Sequence, residues 1–100
     1  MASSVDALLL RAAESLGVLA DTAGPVDDEW QYVRDLVTVW VGALRAVADA
    51  RVGQAAPPAA EAAIERLAEE AASIADPHRA IDWLSTMPAV ALLAVGEGPQ

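Results

Sequence analysis

A lone histidine, a row of glutamates and a set of tryptophans are the side chains of this sequence with chemistry to offer. His78 has Asp82 four residues on, which puts both on one helix face, and Asp76 is close. Such a group could pass protons or supply half of a metal site. Metal sites gather three or four ligands, and a catalytic histidine works with a nucleophile or a second base. Neither companion stands near His78, so it is expected to face solvent in a first helical turn beside Arg79, with no partner to lose. Glu61, Glu65 and Glu69 follow each other at four-residue intervals, one carboxylate row, to which Glu70 and Asp76 add negative charge. Di-iron bundles also use helical glutamates, but as Glu-x-x-His pairs aimed into a core, and no Glu-x-x-His occurs. The row reads as a solvated face or, more sharply, as a docking face for an arginine-rich partner. Cysteine is absent, which excludes disulfides, thiolate zinc sites and a cysteine nucleophile. There is no Gly-rich phosphate loop, nucleophile elbow or zinc spacing, and the arginines are too scattered to make an anion pocket. No cofactor and no metal are expected.

The aromatic residues point elsewhere. Trp30, Tyr32 and Trp40 fall in one helical stretch and Trp83 in another. Trp30, Val33, Val37 and Trp40 share a face and are expected to pack in the core. Tryptophan is also enriched at interface hot spots, so Trp30, Trp40 and Trp83 are candidate interaction residues. Tyr32 lies off the main stripe and marks a possible second contact surface. Leu92 and Leu93 belong to an Ala89–Val95 run that is apolar on every side, which makes them candidates as well.

Four helical arms must position these residues. Ser3 or Ser4 caps the first, and Ser3 with Asp6 approximates a capping box. Val5, Leu8, Leu9, Ala12, Leu16 and Leu19 then form a single apolar stripe, and Gly24-Pro25 ends the helix near residue 22. The second arm, 27–52, opens on Asp27, Asp28 and Glu29, where the macrodipole favours negative charge. Its stripe is Trp30, Val33, Val37, Trp40, Val41, Leu44, Val47 and Ala48. A weaker line of Leu36, Val39, Ala43 and Ala46 makes it apolar over more than half its circumference. A helix of that kind sits at the centre of a bundle or in a subunit interface. Gly53 to Pro58 is the clearest break. The third arm, 58–75, buries Ala60, Ala63, Ile64, Leu67, Ala71 and Ile74. Asp76-Pro77 starts the fourth, 77–95, as cap and first-turn proline; it is kinked or split at Pro88.

Composition agrees with that reading. The chain has 100 residues, 55% of them hydrophobic, and 24 are alanine, the best helix former. Asn-Gly and Asp-Gly hairpin dipeptides are missing, so an all-β fold is disfavoured. The fold class is all-α, one domain over 1–100, a small four-helix bundle. A formal charge of −9 repels phosphate, so nucleic acid and anionic membrane are poor partners. The longest uncharged stretch is too short to span a bilayer, and the N-terminus lacks the basic start of a secretory signal. A cytoplasmic location is the expectation, and the absence of Lys and Asn beside heavy Ala and Arg usage suggests a high-GC bacterial source.

Two resemblances lie in short motifs. Trp40-Val41-Gly42 resembles the W-x-G of small secreted helical-hairpin proteins, where it occupies the hairpin turn; here it lies inside a long helical pattern. Glu14-Ser15-Leu16 is the nearest match to the Asp-Ser-Leu of acyl carrier proteins, but it sits deep in the first helix, not at the start of the second. Neither assigns the chain to a family.

A chain this short buries about 60–70% of its unfolded surface, and apolar content this high leaves apolar area over. Self-association or a permanent partner is the natural outlet. The expected function is a non-enzymatic interaction or regulatory module, with a protein or a second copy of itself as partner and a homodimer as the leading state. The alternative is a small-ligand binder with an apolar pocket near Trp40 and Trp83.

Overall fold

A computed structural model describes residues 4–22 and 28–96. It contains α1 (Val5–Thr22), α2 (Asp28–Ala50), α3 (Pro58–Ser73), α4 (Pro77–Leu84) and α5 (Met87–Ala94). These are the four expected arms, with the last in two pieces.

Local signals set each boundary. The Ser4 hydroxyl accepts from the Ala7 N–H at 3.4 Å and its carbonyl accepts from Leu8 N–H at 3.1 Å, so Ser4 is the cap of α1. Ser3 and Gly24-Pro25 lie outside the described residues. Gly53 follows α2 with φ +81°, and Gly96 follows α5 with φ +86°; both occupy the left-handed region that only glycine enters cheaply. Pro58 opens α3 and Pro77 opens α4, each where a missing N–H costs nothing. Asp76 caps α4 by accepting from the His78 N–H at 3.0 Å. The chain turns at Ser85–Thr86, and Pro88 sits in the first turn of α5. The fourth arm is therefore split just before Pro88, and the proline restarts a helix instead of bending one.

Three long-range contacts fix the topology. Ser4 pairs antiparallel with Ala55, and the Val5 N–H donates to the Gln54 carbonyl at 2.8 Å, so α1 begins beside the α2–α3 connection. His78 meets Glu29, so α4 begins at the start of α2. Arg51 reaches the Val95 and Gly96 carbonyls, so α5 ends beside the end of α2. The arms therefore run up, down, up, down within 41 × 22 × 21 Å. Helix α1 packs on α2 and α3, while α4 packs on α2 and α5 on α3.

The core is apolar throughout: among the described residues no polar or charged side chain is buried. The central helix is α1, so of the two placements expected for α2, bundle centre or subunit interface, the first is not the one it takes. Val5, Leu8, Leu9, Ala12, Ala13, Leu16 and Leu19 of α1 are all buried, whereas α2 buries Val33, Val37, Leu44 and Ala48. The seven buried positions of α1 fan over enough of its circumference to meet two long neighbours at once. Helix α2 meets α1 on one side and only the short α4 on the other. Much of its apolar circumference is consequently left outside. Truncating a fully buried leucine such as Leu16 or Leu44 would cost about 2–5 kcal/mol.

Candidate interaction surface

The tryptophans sit at the edge of the core. Trp30, Trp40 and Trp83 are each half-buried and pack against the buried cluster, with Leu36, Val41 and Val47 of α2 beside them. Core packing, expected for Trp30 and Trp40, is thus partial. Trp83 is held by a contact that its sequence neighbourhood does not announce: its indole N–H donates to Glu70 Oε1 at 3.0 Å. The other oxygen of Glu70 accepts from Arg66 Nε at 2.9 Å, one turn away on α3. Trp83 first, and Arg66 after it, hold the Glu70 carboxyl below its usual range, because both donors favour the charged form.

The glutamate row divides accordingly. Glu61, Glu65 and Glu69 are exposed along α3, while Glu70 turns aside to Trp83 and Arg66. The row thus presents three carboxylates at helical spacing, not four.

His78 is solvent-facing, as expected, but it has a partner. Its Nε2 lies 3.3 Å from Glu29 Oε2 on α2, with both side chains more than half exposed. The expectation of a partnerless histidine is corrected: packing α4 on α2 sets the two helix starts side by side, and no local pattern encodes that. A second polar tie closes the opposite end. Asp6 accepts from the Gly53 N–H at 3.2 Å. The Ser4 hydroxyl first, then the Gly53 N–H, lower the Asp6 carboxyl below its usual range. The Arg51 guanidinium donates to the Val95 and Gly96 carbonyls, both at 3.4 Å, at the negative pole of α5. Among the described residues no three His, Asp or Glu side chains converge as metal ligands do. No described helix is long and apolar enough to cross a membrane.

Large apolar side chains remain in water on α1 (Leu10 and Val18), after α2 (Val52), and on α2 and α5. On α2, Tyr32 is 51% and Val39 68% exposed. On α5, Leu93 is 64% exposed and Val90 is exposed beside it, while Leu92 is half-buried and Ala91 and Val95 face the core. The run that is apolar all round therefore has one buried side and one bare side. Val39 lies on the weaker of the two apolar lines of α2, with Leu36 and Ala43 half-buried and Ala46 exposed. The signal for this surface was a second stripe that a single neighbour cannot cover.

The chain matches no protein family, no curated protein and no solved structure.

Proposed function

We propose that this protein is a non-enzymatic interaction module that works by binding another protein chain or a second copy of itself. The observation that supports this reading most is Val39, a β-branched apolar side chain two-thirds exposed in the middle of the longest helix. Tyr32 on the same helix and Leu93 on α5 repeat the pattern. Isolated apolar residues on a surface are ordinary, but apolar residues in register along one helix mark a contact site. Aromatic side chains at such a site supply most of the binding energy when they are desolvated.

The test is light scattering and sedimentation of the purified chain over a concentration series, with an apolar dye as a second probe. The expected result is association or dye binding that Val39→Asp or Leu93→Asp reduces, with helicity by circular dichroism unchanged. A monomer at every concentration that binds no dye would overturn the reading.

A further inference from the structure

Along α2 the residues Tyr32, Leu36, Val39, Ala43, Ala46 and Ala50 are spaced by four, three, four, three and four. That alternation is the seam of a left-handed pair of helices, the a and d positions of a heptad. Tyr32, Val39, Ala46 and Ala50 are exposed, and Leu36 and Ala43 are half-buried. Leu36 packs in part against the core, the four exposed positions stand in water, and no charged residue interrupts the line. The core-facing positions Val33, Val37, Leu44 and Ala48 lie on a different side of the same helix.

The side chains along the seam are graded in size. The N-terminal half carries Tyr, Leu and Val; the C-terminal half carries three alanines. A parallel copy would set large against large and small against small. An antiparallel copy sets Tyr32 against the partner's Ala50, Leu36 against the partner's Ala46 and Val39 against the partner's Ala43. Each of these is an a-to-d layer with one large and one small knob. The seam is therefore complementary to itself about a twofold axis level with residue 41, as an isologous interface requires.

Gly42 stands next to that level. It lies mid-helix without a positive φ, and an added Cβ would meet nothing within 4 Å. The monomer thus gains nothing from a glycine that weakens the helix relative to alanine. Gly17 on α1 is open in the same way, so Gly42 allows a second backbone close to α2 without requiring one.

The charges on the same edge weaken this register. Asp28, Asp35, Gly42 and Asp49 follow one another at seven-residue intervals beside the seam, and Arg45 stands on their outer side. Arg45 is exposed and makes no ion pair among the described residues. The antiparallel register sets Asp35 opposite the partner's Asp49, twice by symmetry, while Arg45 lies about 140° round the helix from the seam and faces away from the partner. The rim is acidic on both copies, so the pairing is weak.

Its area says the same. Eighteen residue steps at about 1.5 Å make a strip about 27 Å long. At one helix diameter wide, and with the Trp40 and Val47 flank, the pair covers on the order of 1,000 Å², the lower edge of specific interfaces.

We infer that the partner of α2 is a second copy of this chain, seated antiparallel on the Tyr32–Ala50 seam in a weak, concentration-dependent dimer. The inference rests on the interaction-module reading and goes beyond it by naming occupant and register.

Sedimentation equilibrium from micromolar to millimolar concentration tests it. The expected result is a monomer–dimer equilibrium that Val39→Asp and Gly42→Gln each shift at least tenfold towards monomer. Both positions are exposed, so helicity should be retained. Because the chain has no cysteine, register is read directly: Tyr32→Cys mixed with Ala50→Cys should form the mixed disulfide faster than either variant forms its own. Preferred Tyr32→Cys self-coupling would overturn the antiparallel register. A dimer indifferent to Val39→Asp and Gly42→Gln but lost in Leu93→Asp would overturn the seam and leave the interaction reading standing. A chain monomeric throughout that still binds apolar dye, or seats a basic helical peptide on α2, would overturn self-pairing alone.

Discussion

Glu70 accepts from two donors on two helices, and its protonation should be felt at Trp83. Its folded-state pKa is depressed, by the Trp83 indole first and Arg66 next. A group depressed in this way contributes stability that is present above its unfolded pKa and is lost as pH falls through its folded one. The Trp83 environment should therefore loosen at acid pH, below the ordinary carboxylate range. Tryptophan fluorescence against pH should show this transition in the wild type and lose it in Glu70→Ala. An unchanged profile in that variant would refute the link. His78 invites the opposite expectation. Its ion pair with Glu29 joins two side chains that are mostly exposed, and such pairs are worth at most about 1 kcal/mol. His78→Ala should leave the melting temperature within a few degrees of wild type. Neither pair was legible in the sequence. Glu70 and Trp83 lie on helices that meet only after folding, and Glu29 and His78 are placed by the docking of α4 on α2. The exposure of His78, by contrast, followed from its place in a first turn beside Arg79 and Asp76.

At the scale of helices, punctuation made the fold readable. Gly53 to Pro58, Asp76-Pro77 and Thr86-Met87-Pro88 each broke the chain where the structure breaks it, because proline lacks the N–H that a helix interior needs. What periodicity could not decide was which helix would be central. Both α1 and α2 carry broad apolar faces, and burial depends on how many long neighbours each one meets. The glycines test the same local logic in opposite directions. Gly53 and Gly96 hold positive φ, so Gly53→Ala and Gly96→Ala should each destabilise by about 1–2 kcal/mol. Gly17 is helical, lacks a positive φ, and a Cβ there would meet nothing within 4 Å. Gly17→Ala should stabilise by about 0.5–1 kcal/mol, raising the melting temperature by about 2–8 °C in a domain of this size. Thermal melts of the three variants check both signs, and a destabilising Gly17→Ala would mean that α1 bends or packs differently at that turn.

Over the whole molecule, net charge opposes what the apolar surface favours. Each copy carries −9, so two copies repel at long range while Tyr32, Leu36 and Val39 attract at contact. Repulsion between exposed charges is screened within about 8 Å at physiological ionic strength. Added salt should therefore strengthen self-association. A basic partner docked on Glu61, Glu65 and Glu69 would behave in reverse: association would be fast at low salt and slow sharply as salt rises. Reversing Glu65→Arg and Glu69→Arg together separates the two. Each substitution changes the charge by two, taking the net from −9 to −5. The like-charge spacing along α3 is also relieved, so helicity should hold or rise slightly. The doubly reversed chain should self-associate at least as well as wild type, with a weaker salt dependence, while Val39→Asp stays monomeric at any salt. Sedimentation velocity at low and high salt on the three proteins measures this. Association that weakens steeply with salt, and whose salt dependence vanishes on reversal, would move the contact from the α2 seam to the glutamate row of α3. The apolar seam is favoured because desolvated aromatic and aliphatic anchors carry binding energy, whereas exposed carboxylates mostly set the rate of encounter.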